Sequence, residues 1–591
     1  MGFTTPTLPQ VNVDTFLDKP LLERMKILAQ SWGENGFGSP RIFHVIYIAK
    51  LLFFYALLGT FIASWTSGLG PLSHFSSWWT EPIFYQKLII WTALLEILGV
   101  GGSWGPLAGH FKPMLGGVLY WARVGTIRQP PWPRLPLTGG DSRTPLDVLG
   151  YLLLVASLVV ALALPGVSNA SLSTVLPQVT AGLVNPVLLI PVMVLLVVMG
   201  LRDKVLFLAA RGEQYLPALI MFTALNYVDM IIGLKLLIVV VWMGAGFSKF
   251  GKHFANVVPP MVSNAPSMPF KAIKRAHYRD YPNDLRPSHV AGLLAHIGGT
   301  FVEIVTPLIL LFSTNLTLTL LAVVLMVLFH AFIASTFPLA VPLEWNVLFG
   351  FATVFLFWGH PAWAGYGIGN MSSVWLTVVI VAALLFFPVL GNLRPDLVSF
   401  LPSMRQYAGN WASATWAFAP GAEAKLDAIT RPAGNQLDQL IALGTPPKVA
   451  ELLLQTTVAW RSMHSQGRAL LSLLITHVPD IDQYTLREAE FACNSVIGWN
   501  FGDGHLHNEQ LIAAIQARCG FRPGEFIIAW VESQAIQRDT QAYKVIDAAL
   551  GVVERGTFRP ADAVAEQPWL PNGPIPFHVE WSRGTGLKAT T

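Results

Sequence analysis

Four ionisable residues lie in or beside long apolar stretches, and their types could support proton transfer. Lys249 follows one apolar stretch, Glu303 and His330 lie in the next two, and His296 precedes Glu303 by seven residues. A lysine removed from water can serve as a general base, and residues seven apart share one face of an α-helix. These spacings predict a catalytic site inside a membrane, formed by Lys249, Glu303, His330 and His296. The alternative is that such groups only stabilise a helix bundle.

Two glycines, Gly244 and Gly246, come just before Lys249. Residues without large side chains allow a helix or a ligand to approach the backbone closely. We therefore assign Gly244 and Gly246 to cofactor binding at the same predicted site, while close helix packing is the alternative.

A second constellation lies near the C-terminal end of the chain, in a glycine-rich segment that contains Asp503, His505 and His507. Imidazole and carboxylate groups suit divalent metals such as zinc, iron or manganese, and His464 is a further candidate ligand. The prediction is a metal site formed by His505, His507, Asp503 and His464. The alternative is a tight turn whose histidines cap the helix that starts near Asn508.

The elements that must position these residues divide the chain into an apolar and a polar part. Of the 591 residues, 53% are apolar and 12% are charged, whereas an ordinary soluble domain has about 25% charged residues. Nine stretches are long and apolar enough to suggest membrane spans: 42–66, 83–101, 146–166, 182–201, 216–247, 290–313, 317–340, 345–360 and 372–391. The fold predicted is a polytopic α-helical membrane bundle of about nine spans, followed by a soluble α+β C-terminal domain.

Four regions follow from this division. Residues 1–41 form an N-terminal amphipathic segment at the membrane interface, or a helix packed on the protein itself. Residues 42–391 form the transmembrane helical domain, 392–420 a linker and 421–591 the soluble domain. Within that domain the patterns predict helices over 434–478 and 541–553, and strands over 525–531 and 577–581.

The charges of the loops predict an orientation. Loops 67–82, 167–181, 314–316 and 361–371 have no Lys or Arg, whereas loops 102–145, 202–215 and 248–289 have several each. The positive-inside rule places the basic loops and the N-terminus in the cytoplasm. A conflict follows, because a single stretch of about 32 residues, 216–247, separates two basic loops, and two full spans need about 40. Either 216–247 is broken or re-entrant, which places the C-terminal domain in the cytoplasm, as we favour, or that domain lies outside.

The order of residues around Lys249 resembles the vitamin K-dependent γ-carboxylase superfamily, which includes the bacterial horizontally transferred transmembrane (HTTM) proteins. The similarity consists of Gly246 and Lys249 near a helix end, Glu303 at the start of Glu-Ile-Val-Thr-Pro, and Phe329-His330 in the next span. The resemblance implies that Lys249 is a base that meets a reduced quinone, with Glu303 and His330 shaping the pocket.

Segments 460–470, 498–507 and 567–569 resemble an uncharacterised family of actinobacterial polytopic membrane proteins of similar length. This resemblance implies a multi-pass protein of the bacterial inner membrane. The favoured function is lipid handling or scaffolding, with membrane lipids as ligands and a soluble domain that recruits another membrane or cytoplasmic protein. An intramembrane enzyme and a secondary transporter are the alternatives. The small net charge of +4 gives no indication of nucleic-acid binding.

Overall fold

A computed structural model describes residues 2–101, 117–336, 343–406 and 408–584 of the chain. Within these ranges, six helices are long and apolar enough to cross a membrane: Arg41–Ser67, Pro145–Ala163, Tyr227–Ser248, His289–Phe312, Leu316–Thr336 and Val374–Leu393. A seventh is added if the bent pair Glu344–Gly359 and Ala362–Asn370 is one span. The predicted boundaries at 340 and 591 lie outside the described residues.

The predicted count of nine spans is therefore not confirmed. Two of the nine stretches form helices of 17 residues, Pro82–Leu98 and Pro186–Arg202, which fall short of the roughly 20 residues of a typical span. The helix Pro82–Leu98 also buries polar side chains, including Gln86, whose Oε1 accepts a hydrogen bond from the Val184 backbone N–H at 2.8 Å.

The stretch 216–247 is interrupted, which is the first of the two alternatives that the loop charges left open. It is divided between the helices Gly212–Ala224 and Tyr227–Ser248, and the Asn226 side chain caps the second by accepting a hydrogen bond from the Asp229 backbone N–H at 3.0 Å. The second helix is the most buried of the long apolar helices, since 89% of its apolar window lies inside the protein. It packs against Val302–Phe312 and Val374–Leu393 and forms the centre of the helical layer.

The C-terminal region contains a six-stranded antiparallel sheet with the order β4-β3-β5-β6-β7-β8. A separate hairpin, β1 and β2, comes between the helices Tyr227–Ser248 and His289–Phe312 along the chain. The strands are β1 Tyr278–Asp280, β2 Asp284–Pro287, β3 Ser413–Phe418, β4 Thr485–Glu488, β5 Phe526–Val531, β6 Gln541–Asp547, β7 Gly551–Phe558 and β8 His578–Ser582. The helices Pro447–Met463 and Ser465–His477 pack against this sheet. Strands β3 and β5 are buried at every residue, so they form the middle of an α+β core.

Two sequence-based assignments in this region need correction. The predicted linker 392–420 contains β3, which pairs with both β4 and β5. The predicted helix over 541–553 is formed by β6 and the beginning of β7. The first residues of β6 alternate between buried and less buried positions, which is the two-residue period of a strand.

The N-terminal segment is a helix packed on the protein, and its assignment to the membrane interface is wrong. The helix Leu21–Asn35 lies against Pro447–Met463 of the C-terminal region. Trp32 and Trp460 have ring centroids 6.4 Å apart, and Arg24 Nη1 donates to Gln455 Oε1 at 2.9 Å. The amphipathic pattern was correctly recognised, but its apolar face covers a protein core in place of lipid.

The remaining helices are short and connect these elements. They include Val13–Phe16, Phe75–Trp78, Val118–Trp121, Ala170–Val175, Lys204–Ala209, Val258–Asn264, Lys271–Ala276, Gln436–Ala442, Ala489–Ala492, Asn494–Ile497, Glu509–Cys519 and Pro560–Ala565.

Candidate functional site

Lys249 and Glu303 form a buried ion pair at the end of the central helix. The Lys249 ammonium donates to Glu303 Oε2, and both residues are almost completely removed from solvent. The ammonium also lies 5.0 Å from the ring centroid of Phe254 and 5.9 Å from that of Phe329. The faces of these two rings attract the positive charge. Two of the four predicted catalytic residues are thus in direct contact.

His330 lies beside this pair but is fully engaged with other partners. Trp242 Nε1 donates to His330 Nε2 at 3.0 Å, and His330 Nδ1 lies 3.1 Å from Asn346 Oδ1. These bonds assign the proton to Nδ1, because Nε2 must accept. His330 and Glu303 line the same small cavity of about 20 Å³, which has room for about one water molecule.

A larger cavity of about 260 Å³ adjoins Lys249 on its other side. Lys249 is the one charged residue among its described lining residues; the others include Phe254, Met261, Leu294 and Phe332. This arrangement can place an apolar molecule next to an ammonium group that already has a carboxylate partner.

His296 does not join this site, contrary to the prediction. Its side chain is exposed, and it does not line either cavity near Lys249. The shared face with Glu303 assumed α-helical geometry, but Leu294–Phe301 is a π-helix. Its i to i+5 hydrogen bonds change the rotation per residue and turn His296 outward.

The two glycines serve helix packing, so their assignment to cofactor binding is wrong. A Cβ atom added at Gly246 would lie 2.8 Å from Ile304 Cγ1 and 3.2 Å from Glu303 Cβ. A Cβ atom at Gly244 would lie 2.5 Å from Met404 Cβ. The missing side chain at Gly246 brings the helix Val302–Phe312 close enough for Glu303 to reach Lys249, which is three residues further along.

The predicted metal ligands do not converge. Among the described residues, no group of three or more His, Cys, Asp or Glu side chains is placed to hold a metal ion. His464 Nδ1 bonds to the carbonyl of Trp460, His507 Nδ1 lies 2.8 Å from Asn500 Nδ2, and the Asp503 carboxylate accepts from the His505 backbone N–H. Burial lowers the pKa of both His464 and His507 to about 3. These neutral rings are therefore part of a buried polar network.

His505 has a different partner, Glu532, which comes directly after strand β5. His505 Nε2 lies 2.8 Å from Glu532 Oε2. Burial opposes protonation of the ring, but the charge and hydrogen bond of Glu532 outweigh this effect and raise the pKa of His505 above its usual value. The main-chain carbonyl of His505 accepts a hydrogen bond from Lys204 Nζ at 2.8 Å. The predicted histidine thus lies at a contact between the C-terminal domain and the membrane helices.

A cavity of about 610 Å³, which no sequence pattern indicates, ends at this contact. Its walls are mainly apolar side chains from five helices, and Trp132, Leu397 and Pro402 add to them. The five helices are Pro186–Arg202, Lys204–Ala209, Gly212–Ala224, Tyr227–Ser248 and Val374–Leu393. Charged and polar side chains line it as well: Lys204, Glu213, Ser399 and His505. The volume falls within the roughly 300–1,000 Å³ of small-molecule sites, and an apolar body with a few polar groups is typical of them.

The fold and these cavities define a multi-helix transmembrane protein with an attached α+β domain. A family model described as a transmembrane protein of unknown function (DUF3556) matches residues 1–580, and the chain belongs to this family. No curated protein and no solved structure matches the chain.

Proposed function

We propose that the protein handles a membrane amphiphile, which it binds in the 610 Å³ cavity between the helices and the C-terminal domain. The observation that carries this proposal is the composition of the cavity. Apolar walls extend along five helices, and Lys204, Glu213 and His505 add polar groups to them. An alkyl chain would lie among the walls, and a polar head group would reach these three residues.

Access from the bilayer is supported by the exposed residues of the cavity lining. Val197 on the helix Pro186–Arg202 is 42% exposed, and Phe387 on the helix Val374–Leu393 is 53% exposed. Both helices present apolar side chains outward, as lipid-facing helices do. A ligand would therefore enter sideways between these two helices without crossing water.

A cytoplasmic position of the C-terminal domain, in a bacterial inner membrane, is part of the proposal. The domain contacts every basic loop and the N-terminal helix. Tyr120 donates to the Ser495 carbonyl at 2.7 Å, His253 bonds to Ser465 at 2.7 Å, and the Leu21 backbone N–H donates to Asp482. The Lys204 to His505 bond joins the third basic loop to the same domain. Because these parts share one side, the positive-inside rule assigns all of them to the cytoplasm.

The interruption of the stretch 216–247 supports the same orientation. The beginning of Tyr227–Ser248 contacts two of the charge-free loops: its first backbone N–H donates to Ser171, and the ring centroids of Tyr227 and Tyr366 are 5.9 Å apart. This helix then runs to the side of the C-terminal domain. Gly212–Ala224 runs the opposite way, and its 13 residues cover only about 20 Å. On this proposal, one short and one long leg account for two basic loops on the same side of the membrane.

On this proposal, ten helices among the described residues pass through the membrane in alternating directions. Because ten is an even number, the chain returns to the cytoplasm after the last of them. They are the six long helices together with Pro82–Leu98, Pro186–Arg202, Gly212–Ala224 and Glu344–Gly359.

The test of amphiphile binding uses two neighbouring leucines on one helix. Leu384 lines the cavity, whereas Leu385 is exposed and does not. We expect an amphiphile to copurify with the full chain in mild detergent and to be detected by mass spectrometry after solvent extraction. Leu384→Trp should fill the cavity and reduce this amount strongly, and Leu385→Trp should leave it unchanged. Equal retention by the wild type and Leu384→Trp, or no copurified amphiphile, would count against the proposal.

A second candidate function is an intramembrane enzyme that uses Lys249 as a base. The observation in its favour is the position of Lys249 beside both Glu303 and the apolar cavity of about 260 Å³. By resemblance to the carboxylases, the substrate would be a reduced quinone. The purified protein would then consume reduced menaquinone faster than the Lys249→Met variant does, as followed by chromatography. Equal rates for both proteins would remove this candidate.

A further inference from the structure

The polar side chains that line the 610 Å³ cavity differ in whether their hydrogen-bonding atoms have partners. Lys204 Nζ donates to the His505 carbonyl, and His505 Nε2 is held by Glu532, each at 2.8 Å. Each of these groups therefore has at least one partner in the contacts that join the domain to the helices. One further charged group of the lining has no hydrogen-bond partner among the described residues.

Glu213 is that group. Its side chain is buried and lines the cavity, and its Oε1 lies 2.9 Å from Arg211 Nε as an ion pair. Neither carboxylate oxygen of Glu213 has a partner in hydrogen-bonding geometry among the described residues, and the Arg211 Nε, Nη1 and Nη2 atoms have none either. A buried acceptor without a donor is costly, because it has lost its hydration. A donor supplied by the ligand would restore this bond.

The surrounding charges limit which donor fits. The Arg211 guanidinium, held between Trp345 and Phe501 at 4.7 and 6.0 Å from their ring centroids, already balances the charge of Glu213. A negatively charged head group would meet the Glu213 carboxylate and be repelled. A positively charged head group would lie close to the Arg211 and Lys204 cations. A neutral hydroxyl donates a hydrogen bond without either penalty.

We infer that the cavity selects an amphiphile with an uncharged hydroxyl head group, which donates to Glu213 while its chain lies among the apolar walls. This inference rests on the proposed function and specifies the ligand class of the same cavity. It assigns to Glu213 the discrimination between head groups, whereas the walls supply most of the affinity.

The experiment compares three ligands that share one chain: oleyl alcohol, oleic acid and oleylamine. Their affinities for the full chain in detergent are measured by native mass spectrometry. We expect the alcohol to bind about tenfold more tightly than the acid or the amine, since one hydrogen bond to a charged group corresponds to a factor of that order. Glu213→Gln should weaken alcohol binding and reduce the ratio between alcohol and acid. Glu34→Gln, the same change in an ion pair with Lys271 and Arg275 that lies outside this cavity, should leave the ratio unchanged.

The outcomes separate the two levels of the proposal. If none of the three ligands binds, the proposed function fails and the inference fails with it. If the acid or the amine binds as tightly as the alcohol, only the head-group inference is overturned. Should Glu213→Gln fail to fold, the comparison of the three ligands on the wild-type protein still decides the matter.

Discussion

Lys204 Nζ donates a hydrogen bond to the main-chain carbonyl of His505 at 2.8 Å, although the two residues are 301 positions apart in the chain. The bond joins a basic loop of the membrane region to the glycine-rich turn of the C-terminal domain, and both residues line the 610 Å³ cavity. The domain therefore supplies part of the cavity that we propose as the ligand site. Its attachment and its ligand-binding capacity should depend on the same contacts.

The interaction of His505 with Glu532 should make stability depend on pH. The pKa of His505 is raised in the folded protein, so its stabilising contribution is fully present below the usual histidine value of about 6.5 and is lost as the pH rises through the raised value. The melting temperature of the wild type should exceed that of His505→Gln by more at pH 6 than at pH 8.5. His464→Gln is the control, because the pKa of His464 is about 3 and its ring stays neutral over this range. If the wild type and His505→Gln differed in melting temperature by the same amount at pH 6 and at pH 8.5, the interaction would not depend on protonation of His505.

The Lys249–Glu303 pair should show the energetics of a buried ion pair. Removing one partner leaves an uncompensated buried charge, at a cost of about 3–5 kcal/mol. Lys249→Met and Glu303→Gln should each lower thermal stability in detergent, and the double variant should be more stable than their separate effects predict. Strictly additive losses would indicate that the two groups do not stabilise each other.

Gly246 should not tolerate a methyl group. Gly246→Ala places a Cβ atom 2.8 Å from Ile304 Cγ1 and should destabilise the protein by about 1–3 kcal/mol. Gly292→Ala is the matched control, because a Cβ atom there has no heavy atom within 4 Å and alanine favours a helix. The comparison is a thermal melt of both variants. If Gly246→Ala were as stable as Gly292→Ala, the close helix approach would not be required.

The orientation should be visible in labelling with a maleimide that cannot cross membranes. Cys493 is buried, so the background needs only Cys519→Ser. Thr314→Cys, in a charge-free loop, should react in intact cells, and Lys252→Cys, in a basic loop, should react only after permeabilisation. Both positions are exposed. Labelling of Lys252→Cys in intact cells would place the C-terminal domain outside.

The sequence predicts best those parts of the fold that depend on local composition. Apolar stretches locate all six long helices, because burial in lipid requires about 20 consecutive apolar residues. Packing between distant segments leaves no such local pattern. Arg24 and Gln455 are 431 residues apart, and nothing near either residue indicates their contact. Strand β3 was likewise missed, because both of its partners lie far along the chain.

The same difference between local patterns and long-range contacts applies to the candidate sites. Lys249 and Glu303 could be proposed together, because charged residues are rare in apolar helices and each must find a partner. His505 lies in a glycine-rich, histidine-containing segment that is visible in the sequence, but its partner Glu532 lies next to a distant strand and no local pattern indicates their contact. The walls of the 610 Å³ cavity are ordinary apolar residues such as Leu216 and Leu384, which carry no motif. A cavity of this kind becomes visible only in three dimensions.

The most direct test of the central claim is a density map of the full chain in lipid nanodiscs. We expect an elongated density within the cavity, running between Leu216 and Leu384, with its polar end at Glu213 and His505. A cavity filled by side chains, or one that holds only separate water-sized peaks, would show that no amphiphile binds there.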